Sequence, residues 1–476
     1  MSILDFGNFD DDLEDDQGRR ERFEDELKKY RDSLKDGSSG ITNAEALEEI
    51  VNYYYDNEKY EDALHFVNQL LALVPYSADF WHRKGLILAN LYKYEEAAEA
   101  YDRALSLNPV DPEVLVNKGI TLDDLGKYED AISCFNNALA IDPAHEDAMF
   151  NKGISLEKIS HYDEAVQLFK FILDGNSDHK DAWYEMGYCF DYLEKPAESL
   201  RCYDEHLNRD PYNYNAWYNR GIVLNRIMSY NLAIESYDTA LAIHEKFPSA
   251  WYNKGNAYAN LGRLQDAIAC YRQTIQLDDK DVPAWHNLGN AYEELGEYDE
   301  AIKCFTQAIK YEPGHYESYF GRGSCHDALE QWRKALGDYN KALGICRDYP
   351  ELWYAKADVC YNLSKWREAL ISYKMVVRLD PDNSEAWYDL GETLLEYGYL
   401  KESLKAFNKC IGVSPKFSDA YYSRAKVLFL MRKTYDAVES LRVSFQLDPG
   451  KKKVFESEFP GVHSIKEFTA LLEKQK

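Results

Sequence analysis

Nine cysteines and eleven histidines are the side chains of this sequence that could carry redox, metal or acid–base chemistry. Their spacing argues against all three. No two cysteines form a CxxC pair, and the odd count suits a reducing compartment better than a disulfide frame. Cys134, Cys202, Cys270 and Cys304 lie at intervals that are multiples of 34. They therefore share one slot of a repeating unit, where a small apolar packing residue is the simpler reading. The histidines fall at scattered places, and His206, at a place where small residues are usual, reads as a partly buried, hydrogen-bonded histidine. No GxxxxGK phosphate loop, HExxH zinc pair or GxSxG nucleophile elbow occurs. These absences lead to the expectation of a non-enzyme with no catalytic residues, no cofactor and no metal.

Rows of amides and aromatic rings do a different chemistry, that of recognition. Asn117, Asn151, Asn219, Asn253 and Asn287 recur in step with the same period, and Tyr184, Tyr218, Tyr252, His286, Phe320, Tyr354 and Tyr388 stand one place earlier in their own units. A carboxamide donates and accepts at once, so a spaced row of them can pair with the backbone of an extended peptide. That use requires the amides to stand in solvent when no peptide is bound. Asp123, Asp124, Glu157, Asp191, Glu293, Glu294, Asp327 and Glu396 fall six to eight places further along and would make the same face attractive to lysine and arginine. The peptide-binding set read from the sequence is Asn117, Asn151, Tyr184, Tyr218, Asn219, Tyr252, Asn253, His286, Asn287, Phe320, Tyr354 and Tyr388.

The elements that must position these rows follow from the period itself. Counted from Ala44 in steps of 34, the chain falls into register twelve times without an insertion, ending at 451. Place four is tryptophan seven times, place eight glycine nine times, place twenty alanine ten times, place twenty-four aromatic ten times and place thirty-two proline eight times. Places four, eight and eleven share one face of a helix, as do twenty, twenty-four and twenty-seven. A bulky side chain on one helix facing glycine or alanine on the next lets two short helices approach closely. The proline stops the second helix. Each unit is then a helix, a tight turn and an antiparallel helix, and only stacked neighbours can bury its apolar face.

At these residues the sequence resembles the tetratricopeptide repeat (TPR) family, most closely over Ala250–Asp278 (AWYNKGNAYANLGRLQDAIACYRQTIQLD). The resemblance covers residues 44–451. It implies an all-α solenoid, a right-handed superhelix of about twelve helix–turn–helix repeats, with the first helix of each repeat lining a concave surface. It also implies a protein-interaction module whose groove places are two, five, six, nine, twelve and thirteen. Members that clamp acidic chaperone tails need lysine at the fifth place, and no repeat here has it.

Outside the repeats, residues 1–43 are expected to be an acidic, partly disordered segment with an amphipathic helix at about 19–36. Residues 452–476 are expected to form a C-terminal capping helix, with Ser464 and Glu467 as a capping box. A formal charge of −28 disfavours nucleic acid and anionic membrane as partners. No stretch is apolar for long enough to span a bilayer and no secretory signal opens the chain, which suggests the cytoplasm. The expected partners are other proteins, bound through extended neutral or basic segments. Two further readings stand beside this one: a structural assembler that oligomerises through its ends or convex face, and a regulatory subunit of an enzyme.

Overall fold

The computed structural model describes residues 44–459, which hold 25 helices and no strand. They group into two compact units that divide between Ser229 and Tyr230. The N-terminal unit contains α1 (Ala44–Asp56), α2 (Tyr60–Leu73), α3 (Ala78–Asn90), α4 (Tyr94–Leu107), α5 (Pro112–Asp124), α6 (Tyr128–Ile141), α7 (Glu146–Lys158), α8 (Tyr162–Gly175), α9 (Lys180–Tyr192), α10 (Pro196–Arg209) and α11 (Tyr214–Arg226). The C-terminal unit continues with α12 (Tyr230–Ile243), α13 (Pro248–Asn260), α14 (Leu264–Leu277), α15 (Val282–Glu294), α16 (Tyr298–Tyr311), α17 (Tyr316–Ala328) and α18 (Trp332–Ile345). It closes with α19 (Pro350–Asn362), α20 (Trp366–Leu379), α21 (Ser384–Glu396), α22 (Leu400–Val413), α23 (Ser418–Leu430), α24 (Thr434–Leu447) and α25 (Gly450–Glu458). First helices of the repeats span 13 residues and second helices 14, on the register set by the sequence. Within each unit every helix packs on its chain neighbours, forming an α-solenoid of helical hairpins.

The glycine at place eight exists because of the ring at place twenty-four. A Cβ on Gly289 would lie 2.7 Å from a ring carbon of Phe305, far inside van der Waals contact, and Gly85, Gly119, Gly153, Gly255, Gly323 and Gly391 meet the aromatic of their own repeat in the same way. Rings such as Phe135, Phe169, Phe305 and Phe407 are fully buried as a result. The place-four tryptophans do more than fill space. All seven indole N–H groups donate to the carbonyl six residues earlier, as Trp353 does to Arg347 at 2.8 Å and Trp81 to Pro75 at 3.0 Å. The carbonyl in the inter-repeat loop is therefore satisfied whatever side chain stands at place thirty-two.

Each hairpin turns on one residue with positive φ at place fifteen. Four of these are glycine, such as Gly262 (φ 70°), and eight are not, including Tyr92, Met228 and Ser364 (φ 57°). The next backbone N–H reaches back to place eleven, as Lys93 does to Leu88 at 2.9 Å, closing the first helix with the wrapped hydrogen bonds of a left-handed cap.

Three histidines that looked scattered share one task. His145, His179 and His315 cap the first helix of the following repeat, each accepting a backbone N–H through Nδ1. His206 is fully buried rather than partly so, held between the Lys180 carbonyl (2.8 Å) and Asn213 (2.9 Å). Cys134, Cys202, Cys270 and Cys304 are buried free thiols in the repeat cores. At the C-terminal end the helix starts at Gly450, so the twelfth repeat runs into α25 instead of stopping at 451. Phe455 of α25 is buried against Tyr422 and Phe445. The expected helix at 19–36 and the box at Ser464 lie outside the described residues.

Candidate peptide-binding face

The fifth-place rings are held from below by the aromatic at place twenty-four of their own repeat. Centroid separations repeat closely: Phe150–Phe169 and Tyr184–Tyr203 at 5.8 Å, Tyr252–Tyr271 at 6.0 Å, His286–Phe305 at 5.5 Å. Phe320–Tyr339 and Tyr354–Tyr373 lie at 5.9 Å and Tyr388–Phe407 at 5.8 Å. This packing leaves Tyr184, Tyr252, His286, Phe320, Tyr354 and Tyr388 half-buried, each with one edge on the surface, and Tyr218 is half-buried too. Burial also pushes the His286 imidazole down to about 4, so it is neutral near pH 7.

The asparagine row is not the free ladder expected of it. Asn117 bonds His82 at 2.9 Å, Asn219 donates to the Tyr184 hydroxyl at 2.8 Å, and Asn287 donates to Tyr252 and to Asn256, both at 3.0 Å. Each of these crosses from one repeat to the one before it. Asn151 and Asn253 donate to carbonyls of their own helices, Asp147 and Ser249. All five are half-buried rather than standing in solvent. The physical reason is spacing: residues 35 apart, at places five and six of successive repeats, meet across the interface. An amide beside a phenol there finds a partner within the protein.

The acidic residues divide between the two units in a way the composition does not show. In the N-terminal unit two of the three carboxylates at place twelve, Asp123 and Asp191, are matched by a base at place thirteen of the next repeat. Asp123 accepts from Lys158 and from Ser155 (2.6 Å), and Asp191 takes the fork of Arg226 at 2.8 and 3.1 Å. Glu157 is 8% exposed and accepts from the Cys189 thiol at 3.1 Å; burial pushes its carboxyl up to about 8. Glu185, half-buried in the same repeat as Cys189, is raised to about 7 by desolvation.

In the C-terminal unit the matching bases are absent, since Ala328 and Asn362 occupy the places after Glu293 and Asp327. Asp327 and Asp358 face a cleft of about 290 Å³ with Phe320, Ser324 and Tyr354 in its walls. Burial raises Asp327, and it raises Asp358 to about 6 although the Tyr373 hydroxyl donates to it at 2.5 Å. Among the described residues neither carboxylate makes an ion pair. Asp389 and Glu392, one repeat on, are also raised by burial, and Asp389 accepts from Tyr354. Reading the sequence by its asparagines overlooked Asp358, Asp389, Glu392 and Glu185. They stand at places six and nine of the same face, so a count of charge at every groove place would have found them. Glu396 of the expected set accepts from Tyr361 at 2.6 Å. Among the described residues no cluster of three metal-ligating side chains occurs, and no helix is long and apolar enough to cross a membrane.

Tetratricopeptide repeat profiles match residues 112–145 and 282–315, and related TPR profiles match 229–262, 255–296, 49–112 and 354–416. A profile for the protein prenyltransferase alpha subunit repeat matches residues 196–227. The chain belongs to the tetratricopeptide repeat family, whose members generally mediate protein–protein interactions and are generally non-enzymatic. No curated protein matches it. Solved structures similar to it include YrrB, described as a TPR protein with an unusual peptide-binding site (21% identity, 40% of this chain and 97% of that one, TM-score 0.38). Another is the C-terminal part of a TPR repeat-containing protein from Cytophaga hutchinsonii (20% identity, 50% and 97%, TM-score 0.45). A third is the APC/C hetero-tetramer Cut9–Hcn1 (16% identity, 86% and 88%, TM-score 0.36).

Proposed function

We propose that the protein is a non-enzymatic scaffold that holds an extended, neutral-to-basic segment of a partner protein on the first-helix face of its C-terminal unit. A lysine or arginine of that segment seats between α17 and α19. The observation that carries this reading is the pair Asp327 and Asp358, two carboxyl groups facing one cleft with no base beside them. Holding a carboxylate out of water without a cation is unfavourable, and a cation supplied from outside relieves it. Phe320 and Tyr354 line the same cleft and limit the access of water to a cation seated there. The half-buried edges of Tyr252, His286 and Tyr388 extend the surface to either side, while the asparagines act as braces beneath it. The excess of 83 acidic over 55 basic residues steers basic segments toward the protein, and salt weakens that attraction.

Display of a random peptide library against the full chain tests the reading. Wild type should select extended sequences carrying a lysine or arginine, and Asp327→Asn/Asp358→Asn should lose that selection while keeping its helical content. Selection of acidic or purely apolar peptides, or unchanged selection by the double variant, would overturn it.

A further inference from the structure

Roughly half a turn round the same helix, at about 100° per residue, lies a concavity of opposite charge. It is formed by α18, α19 and α20, has a volume of about 600 Å³, and is rimmed by Arg347, Lys356 and Arg378. Trp353, Met375 and the leucines beside them form its floor. Three basic residues around one hollow are unexpected in a chain of net charge −28. The repeat frame explains how they come to be free. In three other repeats the base at place seven pairs with an aspartate sixteen residues earlier: Lys118 with Asp102 at 2.6 Å, Arg220 with Asp204 at 2.8 Å, Lys254 with Asp238 at 2.5 Å. The residue sixteen before Lys356 is Asn340, which brings no charge; Lys356 lies over the Trp353 ring at 5.2 Å, as Lys254 lies over Trp251, but without the aspartate. Arg347 stands at place thirty-two, where eight repeats have proline. The space beside Gly344, which lines the hollow, is open: a Cβ there would meet nothing within 4 Å. Asp348 also lines the hollow, but no ion pair joins it to any of the three bases.

We propose that this hollow is a second binding site, independent of the acidic cleft, that takes a phosphorylated serine or threonine of a partner protein. Two arginines and a lysine present donors and no acceptors, three basic groups against the single carboxylate of Asp348, with which none of them is ion-paired. A phosphate dianion brings about two charges and three strong acceptor oxygens to such a group, whereas a carboxylate brings one charge. The apolar floor suits an apolar residue flanking the modified one. The three bases gather round one hollow and do not run in a stripe along the helices, which separates the site from a nucleic-acid surface.

Met375 is a built-in reporter, because it lines the hollow and the chain has only six methionines. The full-length protein, labelled with 13C at its methionine methyls, would be titrated with a short neutral peptide carrying one phosphoserine between leucines. The serine and glutamate versions and inorganic phosphate complete the set, and Met375→Leu assigns the signal. The phosphopeptide should move the Met375 resonance to saturation, at least about tenfold more tightly than the glutamate peptide, as two charges against one imply. Arg347→Gln/Arg378→Gln should abolish the movement. Both arginines are exposed, so the fold should survive; if it does not, Lys356→Gln alone should still weaken binding. An unmoved resonance, equal response to the glutamate or serine peptide, or an unaffected arginine variant would overturn the assignment. Inorganic phosphate binding as tightly as the peptide would overturn the claim that a protein segment is the ligand.

Discussion

Changing Asn287 to alanine separates a bracing amide from a recognition amide, and the structure sets the size of the effect. Asn287 donates two hydrogen bonds to the preceding repeat, to Tyr252 and Asn256, each at 3.0 Å. A net intramolecular hydrogen bond is worth about 0.5–1.5 kcal/mol, and half-burial places both in the lower part of that range. Losing the pair should cost about 1–2 kcal/mol, roughly a 5–30-fold increase in local opening. Asn151 is the control, because its one amide bond goes to the Asp147 carbonyl of its own helix. The gain in helix propensity from asparagine to alanine is common to both sites and cancels in the comparison. Hydrogen exchange read by mass spectrometry on α13 and α15, and on α7 for the control, measures each opening equilibrium in the intact chain. A Tyr252→Phe background should remove about 0.5–1 kcal/mol of the Asn287 effect, which a double-mutant cycle isolates. Equal costs for Asn287→Ala and Asn151→Ala, or no coupling to Tyr252, would refute the bracing role and return the amide to the peptide.

Ser364→Gly, at an exposed turn residue with φ 57°, should stabilise the tenth repeat by about 0.5–1 kcal/mol in denaturant unfolding, since glycine occupies that conformation without strain. Gly289→Ala should cost about 1–3 kcal/mol by pushing the Phe305 ring, and near-neutrality would show the approach to be looser than 2.7 Å suggests. The Glu157 carboxyl, raised to about 8, binds a proton in the fold that the unfolded chain releases near pH 4.3, about the ordinary glutamate value. The folded state holds more protons between those values, so stability should fall as pH rises from about 5 to 8. Glu157→Gln should flatten that slope in thermal melts, and an unchanged slope would place its origin elsewhere.

The hairpin register was legible in the sequence because packing imposes it. Gly289 and Phe305 must be sixteen residues apart for a ring to meet a bare backbone, and that constraint is written in residue types. The left-handed turn at place fifteen was less legible, since four glycines there share the place with residues as different as Tyr92, Glu194 and Arg432. Backbone closure between two tightly packed helices imposes the conformation regardless of propensity. The candidate face was half legible. The period shows which places recur together, but the partners of Asn117, Asn219 and Asn287 lie one repeat away, and only the interface geometry brings a phenol or imidazole to each amide. Asp358 and Asp389 escaped notice because a carboxylate on a helix surface looks ordinary until burial and the absence of a base are known.

The braces between repeats span nearly constant distances along the chain: 35 residues from His82 to Asn117 and from Tyr252 to Asn287, and 36 from Tyr422 to Glu458. A bond of that kind closes a loop of fixed size no matter how many copies precede it. The entropic cost of closure grows with loop length, so it stays level from one repeat to the next. Adding a copy lengthens the molecule without lengthening any loop that must form. Such a chain can grow by duplication of its coding segment, each new hairpin arriving with its own contacts, and it can begin folding at several places along its length.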